Sequence, residues 1–565
     1  MQQPSRVGQR NAGFDGSCSS TLVATSSQHH VVLGSGRGFA SAHSEHRCGP
    51  LSMVNRMPSD CWNDSRLVTG RLDAQRADDL ERFVRSGGVA LIAVEPDDLY
   101  ARALTGVEVV ADLPATEWFV SLADNAAAAR LEGEVAVTSA LRPLRAVSDD
   151  VAVAATTSTR FEHQATITVR VVGAGRIVGS GIADLDAVRR HPTLGPFVAR
   201  LLHPVAPSRT TDFGVGVVGY GPFGGMGYLH GLAATETDGL ALVAAADSAP
   251  ERLVAARADF ANLAAHDSVE SLAADPAVDI AIIATPPALH AQLALQLLRA
   301  GKHVVIEKPM CLRRQDADEI IATAIDLDRT VTVHQSRRWD RDWLAVRNIT
   351  ASGDIGDVFN IETFVGGFEH PCRAWHSEES ISGGAIYDWG SHHVDWIVQL
   401  YGSAPTRVLC SAHTRVWHDT TNADQLSLWM QWPDGREATF RQSDVCAIRR
   451  PKFHIEGTRG TIEGHYRPLR TDSVEPGRGH VESVAHHAEA PVDLTVATYE
   501  GAMGLRESVV GPAPHPGWGF HRNLADHLLL GEPLAVRPEQ SRDVVAVLEA
   551  GHRSGANGGE LIELG

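Results

Sequence analysis

A chain of 565 residues is too long for one hydrophobic core and implies roughly three or four domains. Its 43% hydrophobic and 21% charged residues suit an ordinary globular protein, and a formal net charge of -19 speaks against nucleic acid or an anionic membrane as partner. No apolar run approaches the roughly 18 residues needed to span a bilayer, and no signal-type segment opens the chain. Seven scattered cysteines without a Cys-x-x-Cys pair predict neither a disulfide framework nor a metal site. A cytoplasmic location is the expectation.

Residues 1–55 are rich in Ser, Gly and His and keep no period, so a disordered leader is expected there. Residues 56–208 turn α/β. Ala74 to Val84 reads as a helix closed by Ser86-Gly87-Gly88, and Val89 to Val94 as a buried strand. Two more strands flank Gly173-Ala174-Gly175. His203 to Ser208, with two prolines, reads as a linker. Over residues 212–336 the alternation becomes regular. Strands are expected at Phe213 to Val218, Leu240 to Ala246, Ile280 to Ala284, Val304 to Ile306 and Val331 to His334, with helices between them. That order predicts a parallel sheet with right-handed crossovers. Residues 337–565 then show longer alternating strands, including a hairpin about Pro433-Asp434-Gly435, and an amphipathic helix from Gln540 to Ser554.

Only three of the 50 basic residues are lysines: Lys302, Lys308 and Lys452. Arginine serves at most surface positions, so a retained lysine marks a place that needs a compact ammonium. Two of the three lie in Gly301-Lys302-His303-Val304-Val305-Ile306-Glu307-Lys308-Pro309.

The run Gly219-Tyr220-Gly221-Pro222-Phe223-Gly224 sits between a strand and a helix. There one glycine permits the tight turn, another the approach of a pyrophosphate, and the third close helix–strand packing. Gly225 and Gly227 compete for the third role. Asp247 ends the next strand, where a carboxylate accepts hydrogen bonds from the adenosine ribose. It repels a 2′-phosphate, which favours NAD over NADP. Thr285-Pro286-Pro287 with His290 ends the third strand and Glu307-Lys308-Pro309 the fourth, both at the sheet edge where open α/β folds bind ligands. Asp388, His392 and Asp395 fall at i, i+4 and i+7, one helical face, so Asp388 is expected to orient His392 as a general base. His393 points elsewhere and is read as structural.

Together these residues resemble the glucose–fructose oxidoreductase / inositol dehydrogenase / rhizopine-catabolism (Gfo/Idh/MocA) family, from about Phe213 to the C-terminus. The resemblance rests on Ala300 to Pro309, Asp388-x-Gly-x-His392-x-x-Asp395, Ser336-Arg337-Arg338-Trp339-Asp340 and Leu530-Gly531-Glu532-Pro533-Leu534. It implies a Rossmann domain followed by an α+β domain with a large, mostly antiparallel sheet. The sheet's open face would form a homo-oligomer, and the active site would lie between the domains. Lys308 would stand beside the nicotinamide ribose and reacting oxygen, before a peptide bond to Pro309 often held cis. Gly219, Gly221, Pro222, Phe223, Gly224, Asp247, Thr285, Pro286, His290, Glu307 and Lys308 would hold the cofactor. His392 would be the acid/base, with Asp388 and Lys308 completing the catalytic set.

Substrate contact is expected from Trp375 and Arg338, besides Asp388 and His392, and a sugar, polyol or sugar derivative is the implied substrate. Residues 56–208 resemble, more distantly, the trehalose-utilisation (ThuA-like) branch of the class I glutamine-amidotransferase fold, through Phe83 to Gly88 and Gly175 to Gly181. A flavodoxin-like α/β domain is therefore expected there. Glu95-Pro96 follows the strand where an amidotransferase needs a cysteine, so the domain is read as non-catalytic. The leading expectation is an NAD-dependent dehydrogenase acting on a carbinol carbon. Its rivals are a redox-assisted glycosidase and a catalytically silent dinucleotide-binding regulator.

Overall fold

The computed structural model describes Trp62 and residues 65–564, apart from 124–132, 160–161, 192, 205–206, 222–224, 372–373, 467–468, 476–478, 486–490 and 514–516. The expected leader therefore lies outside the described residues. So do Pro222, Phe223 and Gly224 of the glycine loop.

The N-terminal domain is a nine-stranded sheet. Ser65–Val68, Val89–Ala93 and Gly175–Ser180 run parallel. The sheet then continues antiparallel through Glu162–Val172, Val151–Thr159, Leu113–Leu122 and Gly133–Leu141. The expected helix is present as Ala74–Arg85, its first turn capped by the Asp73 carboxylate on Arg76 N at 2.8 Å. The flavodoxin-like expectation does not hold. A flavodoxin-like sheet is parallel throughout, and each parallel step needs a crossover of a dozen or more residues. Here a tight turn joins Glu162–Val172 to Gly175–Ser180 at Gly173, whose φ of 64° few other residues adopt. Glu95 pairs with Arg142 at 2.9 Å.

Next comes a six-stranded parallel sheet in the order β3-β2-β1-β4-β5-β6. Its strands are β1 (Phe213–Val218), β2 (Leu240–Ala246), β3 (Ala264–His266), β4 (Ile280–Ile283), β5 (His303–Glu307) and β6 (Val331–His334). Helix α1 (Met226–Thr235) joins β1 to β2. All of β1 and β4 is buried, as both faces of a parallel sheet must be when helices cover them. The strand order reverses between β1 and β4, which opens a crevice at their carboxyl ends. Only the three-residue β3 was not expected from sequence.

The third body is a nine-stranded sheet. It contains β7 (Val358–Gly366), β8 (Arg407–His413), β9 (Gln425–Gln431), β10 (Glu437–Ser443) and β11 (Phe453–Gly457), and it is antiparallel except where β7 pairs with β10. Every second residue of β9 and β10 is buried, so one face forms the core. Helices α2 (Ala385–Asp388) and α3 (Gly390–Tyr401) cover that face. Helix α4 (Gly519–Leu530) returns to the Rossmann core, where it buries Phe520, Leu524 and Leu529. A division at residue 336 is therefore not a clean cut. Arg200 of the N-terminal domain bonds to Asp526 of α4 at 2.6 Å. No helix among the described residues is long and apolar enough to cross a membrane.

Candidate active site

A cleft of about 900 Å³ opens at the carboxyl edge of the parallel sheet, with one wall from each of the last two bodies. The glycine loop forms its floor. Gly219 has φ 97°, and a Cβ there would lie 2.7 Å from the Ala284 carbonyl oxygen. Gly221 has nothing within 4 Å of a would-be Cβ, which leaves its backbone open to an approaching phosphate. A Cβ on Gly227 would lie 2.6 Å from the Gly219 carbonyl oxygen, so this residue takes the helix-packing role. Asp247 accepts from Tyr220 N at 2.8 Å and from Ala249 N at 2.9 Å. Its carboxylate thus fixes the loop and lines the cleft.

Thr285 and Pro286 line the same wall, and Thr285 Oγ1 is buried without a hydrogen-bond partner. An orphaned hydroxyl beside a glycine cradle and a strand-end carboxylate is a donor set that fits a dinucleotide. When bound, that group supplies the hydride acceptor or donor. His290 does not join it. It is fully buried, with Nδ1 2.7 Å from the Pro309 oxygen and Nε2 2.8 Å from the Thr285 oxygen. It clamps the two loops from behind.

Glu307 ends β5, and Lys308 follows, joined by a cis bond to Pro309. Lys308 Nζ crosses the cleft to Asp388 Oδ1 at 2.8 Å. The Asp388 carboxyl is pushed up by burial, but the Lys308 ammonium outweighs this and holds it below the usual range. Asp388 therefore serves Lys308 and does not orient His392. The physical reason is local: α2 ends at Asp388 before α3 begins, and the ammonium is a stronger partner than a neutral imidazole. His392 lines the cleft with Nδ1 buried and unpartnered. Burial, then the Lys308 and Arg337 charges, hold its pKa well below the ordinary value, so it is neutral and able to accept a proton.

Trp375 lines the cleft as expected and stacks on His376 at 3.5 Å between centroids. Arg338 does not. It is buried in a two-pronged ion pair with Asp395, at 2.6 and 2.7 Å. Its neighbour Arg337 lines the cleft instead, 4.7 Å over the Trp389 ring and 3.1 Å from Asp340. A 3₁₀ turn over Ser336–Trp339 decides which arginine faces in. Ser336, at the head of the Ser336-Arg337-Arg338-Trp339-Asp340 segment, also lines the cleft, with Tyr387, Trp389 and Arg252, to which no role was assigned from sequence. His393 packs on Trp396 and Phe440, each 4.8 Å away, in the sheet-domain core.

Residues 213–335 match the NAD-binding Rossmann fold of the Gfo/Idh/MocA oxidoreductase family, and residues 343–463 match a C-terminal domain of that family. The scyllo-inositol 2-dehydrogenase (NADP(+)) of Bacillus subtilis is 25% identical over 344 residues, 60% of this chain and 93% of its own. An uncharacterized oxidoreductase of Schizosaccharomyces pombe is 32% identical over 257 residues, 43% of this chain and 69% of its own. The crystal structure of an NAD-binding protein from Listeria innocua, 26% identical, superposes with a TM-score of 0.52 over 62% of this chain and 97% of its own. Relatives among these matches are named as dehydrogenases and reductases, which fits the cleft chemistry. The chain belongs to the Gfo/Idh/MocA family of oxidoreductases and is a nicotinamide-dependent dehydrogenase acting on CH–OH groups.

Proposed function

We propose that this dehydrogenase uses NAD and acts on a carbinol carbon of a sugar, polyol or sugar derivative, with His392 as general base. The observation that carries this reading is the cleft itself. A neutral imidazole and an ammonium held by Asp388 face one space between the glycine loop and Trp375. Lys308 polarises the reacting hydroxyl and His392 takes its proton. Trp375 offers an aromatic face to sugar C–H surface. The NADP(+)-linked Bacillus relative and Arg252 in this cleft make Asp247 the residue on which cofactor choice turns. Screening sugars and polyols for NADH formation tests the proposal. Glycosides followed by chromatography in the same panel test the redox-assisted glycosidase. No NADH formed from any carbinol substrate would overturn it.

We read the N-terminal domain as non-catalytic, without the all-parallel sheet that a ThuA-like fold would need. Support comes from Glu95, tied to Arg142 where that fold would need its nucleophile. We read the open face of the C-terminal sheet as a homo-oligomer contact, which light scattering of the full chain tests. The free thiols of Cys311, Cys410 and Cys446 suit a reducing cytoplasm.

A further inference from the structure

Three histidines from three separate elements converge beside the parallel sheet, outside the cleft. His230 lies on α1, His334 ends β6 and His521 lies on α4. All three are buried. One nitrogen from each ring comes within 4.8 Å of the other two. The ring centroids are 4.5, 5.2 and 5.5 Å apart.

The protonation pattern follows from Glu307. Its Oε1 accepts from His230 Nε2 at 2.9 Å and from His334 Nδ1 at 2.7 Å, while Oε2 accepts from Lys308 N at 3.1 Å. A neutral imidazole has a single N–H. His230 and His334 each give theirs to Glu307, which leaves lone pairs on His230 Nδ1 and His334 Nε2. The third ring brings His521 Nε2 to 3.0 Å from His230 Nδ1.

Imidazoles whose outer N–H groups are held by a carboxylate, with their inner lone pairs converging, are the arrangement of histidine metal ligands. We propose that His230, His334 and His521 bind one divalent first-row transition-metal ion, zinc by best fit, with Glu307 as the outer acceptor of His230 and His334. Zinc takes imidazole nitrogens at about 2.0–2.1 Å in tetrahedral geometry, which sets ligand nitrogens about 3.4 Å apart. The 3.0 Å pair reaches that with a small shift. An all-nitrogen set disfavours magnesium and calcium, which take oxygen ligands. The fourth position is left for water. The ion ties α1, β6 and α4 together and steadies the carboxylate that precedes Lys308.

The test is calorimetric titration of the chelator-treated full chain with zinc alone, with melting followed in parallel. The expected result is one equivalent bound tightly and a raised Tm, because an ion that binds only the folded state stabilises it. The tight equivalent should vanish in His521→Phe and persist in His465→Ala, which removes an exposed ring. Absence of tight binding in the wild type, or equal binding in His521→Phe, would show a plain hydrogen-bonded chain of rings and overturn the site. Should His521→Phe fail to fold, cobalt(II) titration of the wild type decides. Strong four-coordinate absorption supports the site; weak six-coordinate absorption or none overturns it.

Discussion

Lys308 Nζ lies 2.8 Å from Asp388 Oδ1, an ion pair that joins the end of β5 to the end of α2 across the cleft. It sets the ammonium where a reacting oxygen would meet it and adds positive charge beside His392. The two residues therefore act as a unit. Lys308→Ala and His392→Ala should each lower kcat by roughly a hundredfold or more. Lys308→Ala and Asp388→Asn should be strongly non-additive, since either alone breaks the pair. Steady-state kinetics of the single and double variants check this. Additive losses would mean that Asp388 acts on something other than Lys308.

The depressed His392 pKa has two consequences for pH. Burial, then the Lys308 and Arg337 charges, keep the ring neutral below its ordinary value of about 6.5. In the oxidation direction the acid limb of kcat/KM should therefore fall below pH 6.5, and a limb centred near that value would place His392 in solvent. Stability moves with it. Above about pH 6.5 the ring is neutral in both states, and as pH falls the unfolded chain gains protons that the folded chain refuses. His230, His290, His393 and His521 shift the same way. Tm should drop as pH falls from about 6.5 towards the folded pKa values, more steeply than in His393→Phe.

His393, read from its helical position as structural, carries that role in the sheet-domain core. It is buried between Trp396 and Phe440. His393→Ala opens a cavity in the sheet-domain core and should cost about 2–4 kcal/mol of stability. Turnover per folded molecule should stay near the wild-type value. Denaturant melts with kinetics below the melting range separate the two, and lost turnover in a fully folded variant would reassign the base.

The parallel sheet was legible because alternating strand and helix periods, a glycine loop and Asp247 agree with one another along the chain. Facing was not. Arg337 and Arg338 are adjacent, and only the 3₁₀ turn decides that one lines the cleft while the other pairs with Asp395. Gly227 could be told from its neighbours only by the 2.6 Å clearance to the Gly219 oxygen. His230, His334 and His521 stand on distant segments with no spacing signature, so tertiary packing alone brings them together. In the N-terminal domain the strand periods were readable, but the sense of pairing depends on connections between strands that the periods do not specify.

The N-terminal domain docks through a buried charge. Arg200 is 2.6 Å from Asp526 and 3.7 Å from Glu532, and burial raises both carboxyls despite that partner. Arg200→Ala takes the hydrogen-bonded counter-charge from two buried acids, leaving only the more distant Arg522 charge on Asp526, and should destabilise the full chain by about 3–5 kcal/mol. Removing the whole domain is different, because water then reaches both acids. A chain beginning at Thr210 should fold and bind dinucleotide. Thermal melts of both variants check the contrast, and an insoluble truncation beside a stable Arg200→Ala would reverse it.

Cofactor choice turns on Asp247. Its two oxygens already accept from Tyr220 N and Ala249 N, which fixes the carboxylate at the mouth of the glycine loop. A ribose with free hydroxyls can donate to it, whereas a 2′-phosphate brings like charge against it. Arg252 and Ser248 line the same region and would favour a phosphate once the carboxylate is gone. The wild type should therefore bind NADH more tightly than NADPH. Asp247→Ser should lose NADH affinity, gain NADPH affinity and keep the loop bonds through its hydroxyl. Fluorescence titration of both cofactors against both proteins measures this directly. If wild type prefers NADPH, or if Asp247→Ser leaves the ratio unchanged, the carboxylate serves the loop alone and Arg252 sets the preference.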